Sequence, residues 1–194
     1  MVGDGLGLLS RFPFGEFRRI PWDTCGPGAA DCLAMKGFAV ARVELAPGQI
    51  VDVYTLHADA GSEDADNTAR ASGYEELAAY IEQNSEGHAV IIGGDTNLHT
   101  EPGSDDPDHR EDARVWAAFL DRTSLVDVCD ALSCDDPARI DKFAFRNGGG
   151  IQLEPLTWTF EAQKFRDASG EPLSDHDPLL VKWRWSAVSD ARPS

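Results

Sequence analysis

The chain predicts an α/β fold in which sheets are covered by helices, and three observations carry that reading. Short apolar runs rich in β-branched and aromatic residues recur along the 194 residues and are bounded by Gly, Pro, Asn and Asp. Between two of them, Thr68 to Asn84 places Tyr74, Leu77, Ala78 and Ile81 at the i, i+3, i+4, i+7 spacing of an amphipathic helix. Ala46-Pro47-Gly48-Gln49 separates two other runs and predicts a turn, hence an antiparallel hairpin. Hairpins mixed with helical crossovers give a layered α/β domain.

In chain order the elements are as follows. Leu6–Ser10 reads as a core strand with nothing before it to form a hairpin. Phe38–Leu45 and Ile50–Leu56 are the hairpin strands. The helix over Thr68–Asn84 then leads to the strand Ala89–Gly93, and Val115–Leu120, with Trp116 and Phe119, predicts a second, shorter helix. Leu125–Cys129, Ile140–Phe145, Leu156–Phe160 and Leu179–Trp185 complete the strands. No repeat, low-complexity tract or linker divides the chain, so residues 1–194 are expected to form one domain.

Apolar residues at 42% and charged residues at 26% are ordinary for a globular protein. No apolar run approaches the roughly 18 residues of a membrane span, and Met1-Val2-Gly3-Asp4-Gly5-Leu6 lacks the basic region of a signal peptide. Acidic groups number 34 against 17 basic ones, a net charge of −17. The excess gathers in Asp59–Asp66 and Glu101–Asp112, which read as solvated, turn-rich loops. Such charge repels polyanions unless metal ions or a local basic patch intervene. It weighs mildly against tight nucleic-acid binding without excluding a nuclease that works through divalent cations. The four cysteines form two close pairs, Cys25/Cys32 and Cys129/Cys134, with neither CxxC spacing nor an intervening histidine. Two local disulfides in an exported protein are expected, the alternative being four unrelated thiols in a cytosolic one.

Chemistry concentrates at two strand ends. Ser174-Asp175-His176-Asp177-Pro178 opens the strand Leu179–Trp185, and Ala89-Val90-Ile91-Ile92 ends in Gly93-Gly94 before Asp95, Thr96 and Asn97. A single Asp-His pair is commonly a solvated turn; two such stretches, each beside a β run, point to one site built from separate elements.

Five stretches in order, GLGLLSRFP (more weakly), VYTLHADAG, IIGGDTN, ARID and LSDHDPL, resemble the endonuclease/exonuclease/phosphatase superfamily, which has the DNase I-like fold. The resemblance implies two packed, largely antiparallel mixed sheets flanked by helices. It also implies a metal-dependent phosphodiester hydrolase, which needs an activated water, neutralised phosphoryl oxygens and a stabilised leaving oxygen. Asp95 matches the aspartate that orients or deprotonates the water, and Asn97 the amide that holds that aspartate and the phosphate. His176 matches the histidine that contacts the phosphate or acts as base, and Asp141 the carboxylate that orients it. Asp175 matches a metal-binding acid, so the metal would be held by Asp95 and Asp175. His57 matches a histidine suited to protonate the leaving oxygen. Taken singly, Asp141 and Asp175 could be strand-end caps and His57 a satisfied strand histidine.

Within the superfamily, His57 resembles deoxyribonuclease I and the sphingomyelinases, and the Lys36-Gly37-Phe38 strand entry resembles neutral sphingomyelinases, although Lys36-Gly37 is equally read as a plain turn. The resemblance thus ranks a sphingomyelinase-like phosphodiesterase slightly above an exported nuclease. The resemblance implies Mg²⁺ or a similar divalent ion, a phospholipid headgroup or nucleic acid as phosphodiester substrate, and a secreted monomer. It also allows a peripheral membrane contact, to which Arg18-Arg19 and Trp22 could contribute; a solvated loop is the plainer reading of those residues. His99 and His109 read as surface loop residues. The pattern departs in two places. Thr55 stands where an Asn is usual. The family's N-terminal strands, with an Asn and a metal-binding Glu, find no match, so the domain is expected to lack its first strands and this form to be nearly inactive. The competing reading is a truncated, non-catalytic binding module or remnant.

Overall fold

A computed structural model describes residues 3–26 and 31–188. Met1 and Val2, and the middle of the first cysteine loop (27–30), lie outside the described residues. Six strands form the larger sheet: β1 (Phe14–Pro21), β2 (Gly37–Ala46), β3 (Gln49–His57), β4 (Ala89–Asp95), β6 (Asp141–Arg146) and β5 (Val126–Asp127), in that spatial order. β2 and β3 are the expected antiparallel hairpin, turned at Gly48, whose φ of 75° suits glycine. β4 lies parallel to β3, reached through the crossover helix α2 (Asp64–Asn84). β6 runs antiparallel to β4. A second sheet pairs β7 (Ile151–Phe160) with β8 (Leu179–Ala187).

Burial explains the layering. Phe38, Tyr54, Leu56 and Ile92 face Leu77 and Ile81 of α2 and Trp116 and Phe119 of α3 (Pro107–Thr123). On the other face, Val51, Ala89 and Phe145 meet Ile151 and Leu153, with Trp183 and Trp185 packed against them. β4 is covered on both faces, which is why its sequence is a continuous apolar run rather than an alternation. The α/β sheet-and-helix architecture is thus the expected one.

Several local expectations are corrected. Leu6–Ser10 is not a strand: Leu9 is fully exposed, and the stretch, interrupted by Gly7, forms no strand ladder with a neighbour among the described residues. The first strand is Phe14–Pro21, which carries Arg18 and Arg19 on the sheet edge, where charge guards against further pairing. Trp22 is no loop residue in solvent; its ring packs on Phe38 at 5.3 Å, and its Nε1 donates to the His57 carbonyl at 3.0 Å. Leu125–Cys129 shortens to β5 because Asp127 accepts from the Cys129 and Asp130 amides and starts α4 (Val128–Leu132). β7 begins five residues earlier than expected (151 rather than 156), since Pro155 sits at a register irregularity that an uninterrupted ladder would forbid. His109 lies inside α3.

The acidic loops are only partly solvated. Asp59 and Asp66 are buried, as is Asp112, which pairs with Arg70 at 3.3 Å. Lys36 is also buried, ion-paired with Asp31 at 2.8 Å. Asp31 belongs to α1 (Asp31–Ala34). Gly37 follows Lys36 because a Cβ there would meet the Ile20 carbonyl oxygen at 2.1 Å. The Lys36-Gly37 turn is therefore a packed strand entry. Cys25–Cys32 and Cys129–Cys134 are disulfides, with Cα separations of 5.4 and 4.8 Å.

Candidate active site

Strand register assembles the site. His57, the last residue of β3, pairs opposite Asp95, the last of β4, and Asp95 pairs opposite Asp141, the first of β6. Three polar side chains from separate stretches therefore stand in one row at one end of the sheet. The loop before β8 adds His176, whose Nδ1 lies 2.9 Å from Asp141 Oδ2 and 3.0 Å from Oδ1. Asp95 Oδ2 is 3.5 Å from His57 Nε2 and 3.8 Å from His176 Nε2, so the aspartate sits between two imidazoles. The expected convergence and the expected Asp141–His176 hydrogen bond are both present.

Glycines make the row possible. A Cβ on Gly93 would meet the Phe143 ring at 2.4 Å, and one on Gly94 would meet the Leu56 carbonyl oxygen at 2.1 Å. Gly94→Ala should therefore displace β4 from β3 and carry Asp95 out of line. A loss of about 1–3 kcal/mol is expected for such overpacking, read as a lowered urea midpoint; an unchanged midpoint would mean the strands can part freely here.

Each site residue is held by its surroundings. Asn97 takes a left-handed conformation, φ 47°, and its backbone N–H donates to Asp95 Oδ1 at 2.9 Å. The Asn97 side-chain amide donates instead to the Ala58 carbonyl at 2.9 Å. The aspartate is thus held by the backbone of Asn97 and not, as the resemblance implied, by its amide. Buried Thr96 donates from its N–H (2.8 Å) and its hydroxyl (2.5 Å) to the Ile140 carbonyl, locking the β4 exit to the β6 entrance. His57 Nδ1 lies 2.9 Å from the Asp4 carbonyl oxygen. A carbonyl can only accept, so Nδ1 carries the proton and Nε2 is turned toward Asp95. For His176, burial opposes the charged ring most strongly. The hydrogen bond and charge of Asp141, with the charges of Asp95 and Asp175, outweigh it and raise the pKa above the ordinary histidine value.

His176 stands between two cavities. One, about 470 Å³, has Thr55, Gly93, Phe143, Phe165 and Leu173 in its walls. The other, about 320 Å³, is bordered by His99, Asp136, Arg139, Asp141 and Asp175. Asp175 is exposed and shares the second cavity with the Asp141–His176 pair. Two wall residues lie outside the motif residues that the sequence singles out as a site. His99 is exposed, as expected, yet it borders the site; its place two residues after Asn97 was the available signal. Arg139, in ARID, lies 3.3 Å from Asp141 and 3.8 Å from Asp177.

Among the described residues no group of three or more His, Cys, Asp or Glu is arranged to hold an ion. A closed protein cage is therefore not formed by them. Magnesium, however, keeps several waters and commonly takes one or two carboxylates together with substrate phosphate. Asp95 and Asp175 offer oxygen donors of that kind.

No family model matches the chain. The sphingomyelinase of Mycobacterium tuberculosis (strain ATCC 25618 / H37Rv) is 32% identical over 198 residues, covering 95% of this chain and 37% of that protein. The Mycobacterium bovis sphingomyelinase matches with the same figures. The chain thus spans little more than a third of the length of these relatives. Among solved structures, humanized D. rerio TDP2 has a TM-score of 0.62 at 20% identity, over 90% of this chain and 66% of that one. Sphingomyelinase C from Streptomyces griseocarneus gives 0.57 at 17%, over 89% and 65%. An endonuclease/exonuclease/phosphatase from Beutenbergia cavernae DSM 12333 gives 0.63 at 13%, over 90% and 46%. At these identities the structural likenesses establish the fold.

Proposed function

We propose, for a chain that carries the DNase I-like fold of the endonuclease/exonuclease/phosphatase superfamily, a part in phosphodiester hydrolysis. The observation that carries this reading is the row His57–Asp95–Asp141 closed by His176. A water between Asp95 and a phosphodiester would be oriented or deprotonated by the Asp95 carboxylate. His176, kept oriented and supported in its charged form by Asp141, would donate from Nε2 to a phosphoryl oxygen. His57, whose Nδ1 proton is committed to the Asp4 carbonyl, would act from the doubly protonated ring, its Nε2 proton passing to the leaving oxygen and being replaced by the proton that Asp95, 3.5 Å away, takes from the water. Asn97 would serve chiefly by fixing Asp95. A divalent cation of the magnesium class, held by Asp95 and Asp175 with waters, would supply charge neutralisation when bound.

A phospholipid headgroup is preferred to nucleic acid as substrate. The relatives that match in sequence are sphingomyelinases, and a net charge of −17 disfavours a polyanion. The two disulfides support an exported protein, acting as a monomer with at most a peripheral membrane contact; no helix among the described residues is long and apolar enough to cross a membrane. A non-catalytic module is the second reading.

A substrate panel separates the readings. The chain, and the longest in-frame product that contains it, should be assayed on sphingomyelin vesicles, DNA, RNA and inositol phosphates, with Mg²⁺ or with EDTA. Release of phosphocholine from sphingomyelin by the longer product, abolished by EDTA and nearly absent with the 194-residue form, is the expected result. Cleavage of DNA or RNA alone would move the substrate to nucleic acid, and inertness of both forms on all four would favour the module.

A further inference from the structure

We propose that Arg139 is a positioning residue, holding Asp141 and the loop around His176 in the one arrangement that keeps the His176 ring on the Asp141 carboxylate. This inference deepens the proposed active site and rests on that reading, but its geometry stands apart from turnover. Arg139 is held at three points. Its guanidinium carbon lies 4.6 Å above the ring of Phe160, the last residue of β7. Nε lies 3.3 Å from Asp141 Oδ2, and Nη1 lies 3.8 Å from Asp177 Oδ2.

The placement matters more than the charge count. Asp141 Oδ2 is also the oxygen that faces His176 Nδ1 at 2.9 Å. One carboxylate oxygen is therefore approached by the imidazole on one side and the guanidinium on another, which limits rotation of a terminal torsion that is otherwise broad. Asp177 follows His176 directly, so the same arginine grips one member of the pair, Asp141, and the residue beside the other. The side chain is 23% exposed, and its buried Nε makes no hydrogen bond among the described residues. The contact with Asp141 is thus an ion pair fixed by the stacking on Phe160, not a linear hydrogen bond. Loop residues 161–178 have no strand ladder tying them to β6. Arg139 supplies the tie from the β6 entrance to both ends of that loop, through Phe160 and Asp177. Lysine would retain the charge but lose the flat face that stacks on Phe160.

The test reads the Asp141–His176 hydrogen bond directly. In the isotope-labelled chain, the His176 Nδ1 proton should give a downfield resonance, assigned by its disappearance in Asp141→Asn. Arg139→Gln and Phe160→Leu should each broaden or remove that resonance while amide signals of the helices stay in place, and Arg139→Lys should restore it only in part. Where a phosphodiester is turned over, Arg139→Gln should lower kcat on the order of 10²-fold, as expected for a misplaced group, with little change in KM. An undisturbed resonance in Arg139→Gln would overturn the proposal, as would full recovery in Arg139→Lys, which would make charge alone sufficient. Should Arg139→Gln fail to fold, Phe160→Leu and Arg139→Lys decide the matter by the same resonance. A chain inert on every phosphodiester but sensitive in this resonance would refute the proposed function and leave the positioning role standing.

Discussion

In the longest in-frame product that contains this chain, Asp95→Asn should remove nearly all phosphodiester hydrolysis, lowering kcat by roughly 10²–10⁴-fold, the range associated with a positioned acid or base. Asparagine preserves the size of the side chain and one oxygen for the Asn97 N–H, so the loss would report the missing charge and basicity. His176→Ala should be comparably severe, because its Nε2 is the donor that Asp141 holds 3.8 Å from Asp95. If the groups act as a unit, the double variant should fall little below either single one, since effects within one catalytic assembly are far from additive. His57→Ala should be milder with a substrate whose leaving oxygen is already acidic, such as a nitrophenyl phosphodiester, because that leaving group needs no proton. Steady-state rates on the substrate identified by the panel, with circular dichroism to verify folding, provide the check. An Asp95→Asn protein within threefold of the parent, a margin far below the 10²-fold expected of such a group, would remove Asp95 from the mechanism.

Much of this site is legible in the sequence because the residues sit at strand ends, where apolar runs mark the strand and the next polar residue marks its exit. Ala89–Ile92 announces β4, and Gly93-Gly94-Asp95 follows from it. The same logic locates Asp141 and His176. What cannot be read this way is partnership across the sheet. The two glycines in IIGGD look like flexible punctuation, yet they are demanded by Leu56 and Phe143 on neighbouring strands. β1 escapes notice for the converse reason: FGEFRRIP lies on an edge, mixes charge with aromatic residues, and shows little alternation. Leu6–Ser10 has the composition of a strand but no neighbour among the described residues to complete its ladder. Hydropathy also misplaces the acidic stretches. Asp59, Asp66 and Asp112 look like solvent-facing charges, and only the folded chain brings Arg70, Gly26 and the start of α2 against them. Arg139 is hidden in the same way, since two of its three partners, Phe160 and Asp177, come from distant segments.

Arg70→Met should be strongly destabilising, because it leaves buried acceptors without their donor. Arg70 is 4% exposed and reaches four groups at once. Nη1 donates to the carbonyls of Asp59 and Gly61, each at 3.1 Å. Nη2 donates to Asn67 at 2.6 Å and to Asp112 at 3.3 Å. Asp112, 5% exposed, would then keep a buried charge whose one remaining hydrogen bond among the described residues is from the His99 N–H at 2.9 Å. Removing one partner of a buried ion pair costs about 3–5 kcal/mol, whereas replacing both by apolar groups is often close to neutral. The Arg70→Met protein should therefore melt about 10 °C or more below the parent. Arg70→Met/Asp112→Leu should recover a large part of that loss, although the carbonyls of Asp59 and Gly61 stay unanswered. The network also touches the site. Asp59 follows Ala58, whose carbonyl receives the Asn97 amide, and His99 hangs from Asp112. Loosening Arg70 should thus speed amide exchange at Asn97 and His99 before it does so in β2 or β3, which are held by their own ladder. Equal melting of the single and double variants would show that Asp112 bears no unpaired charge in the Arg70→Met protein. It would also assign the destabilisation to the two carbonyls, and thereby to the segment that carries the Asn97 contact.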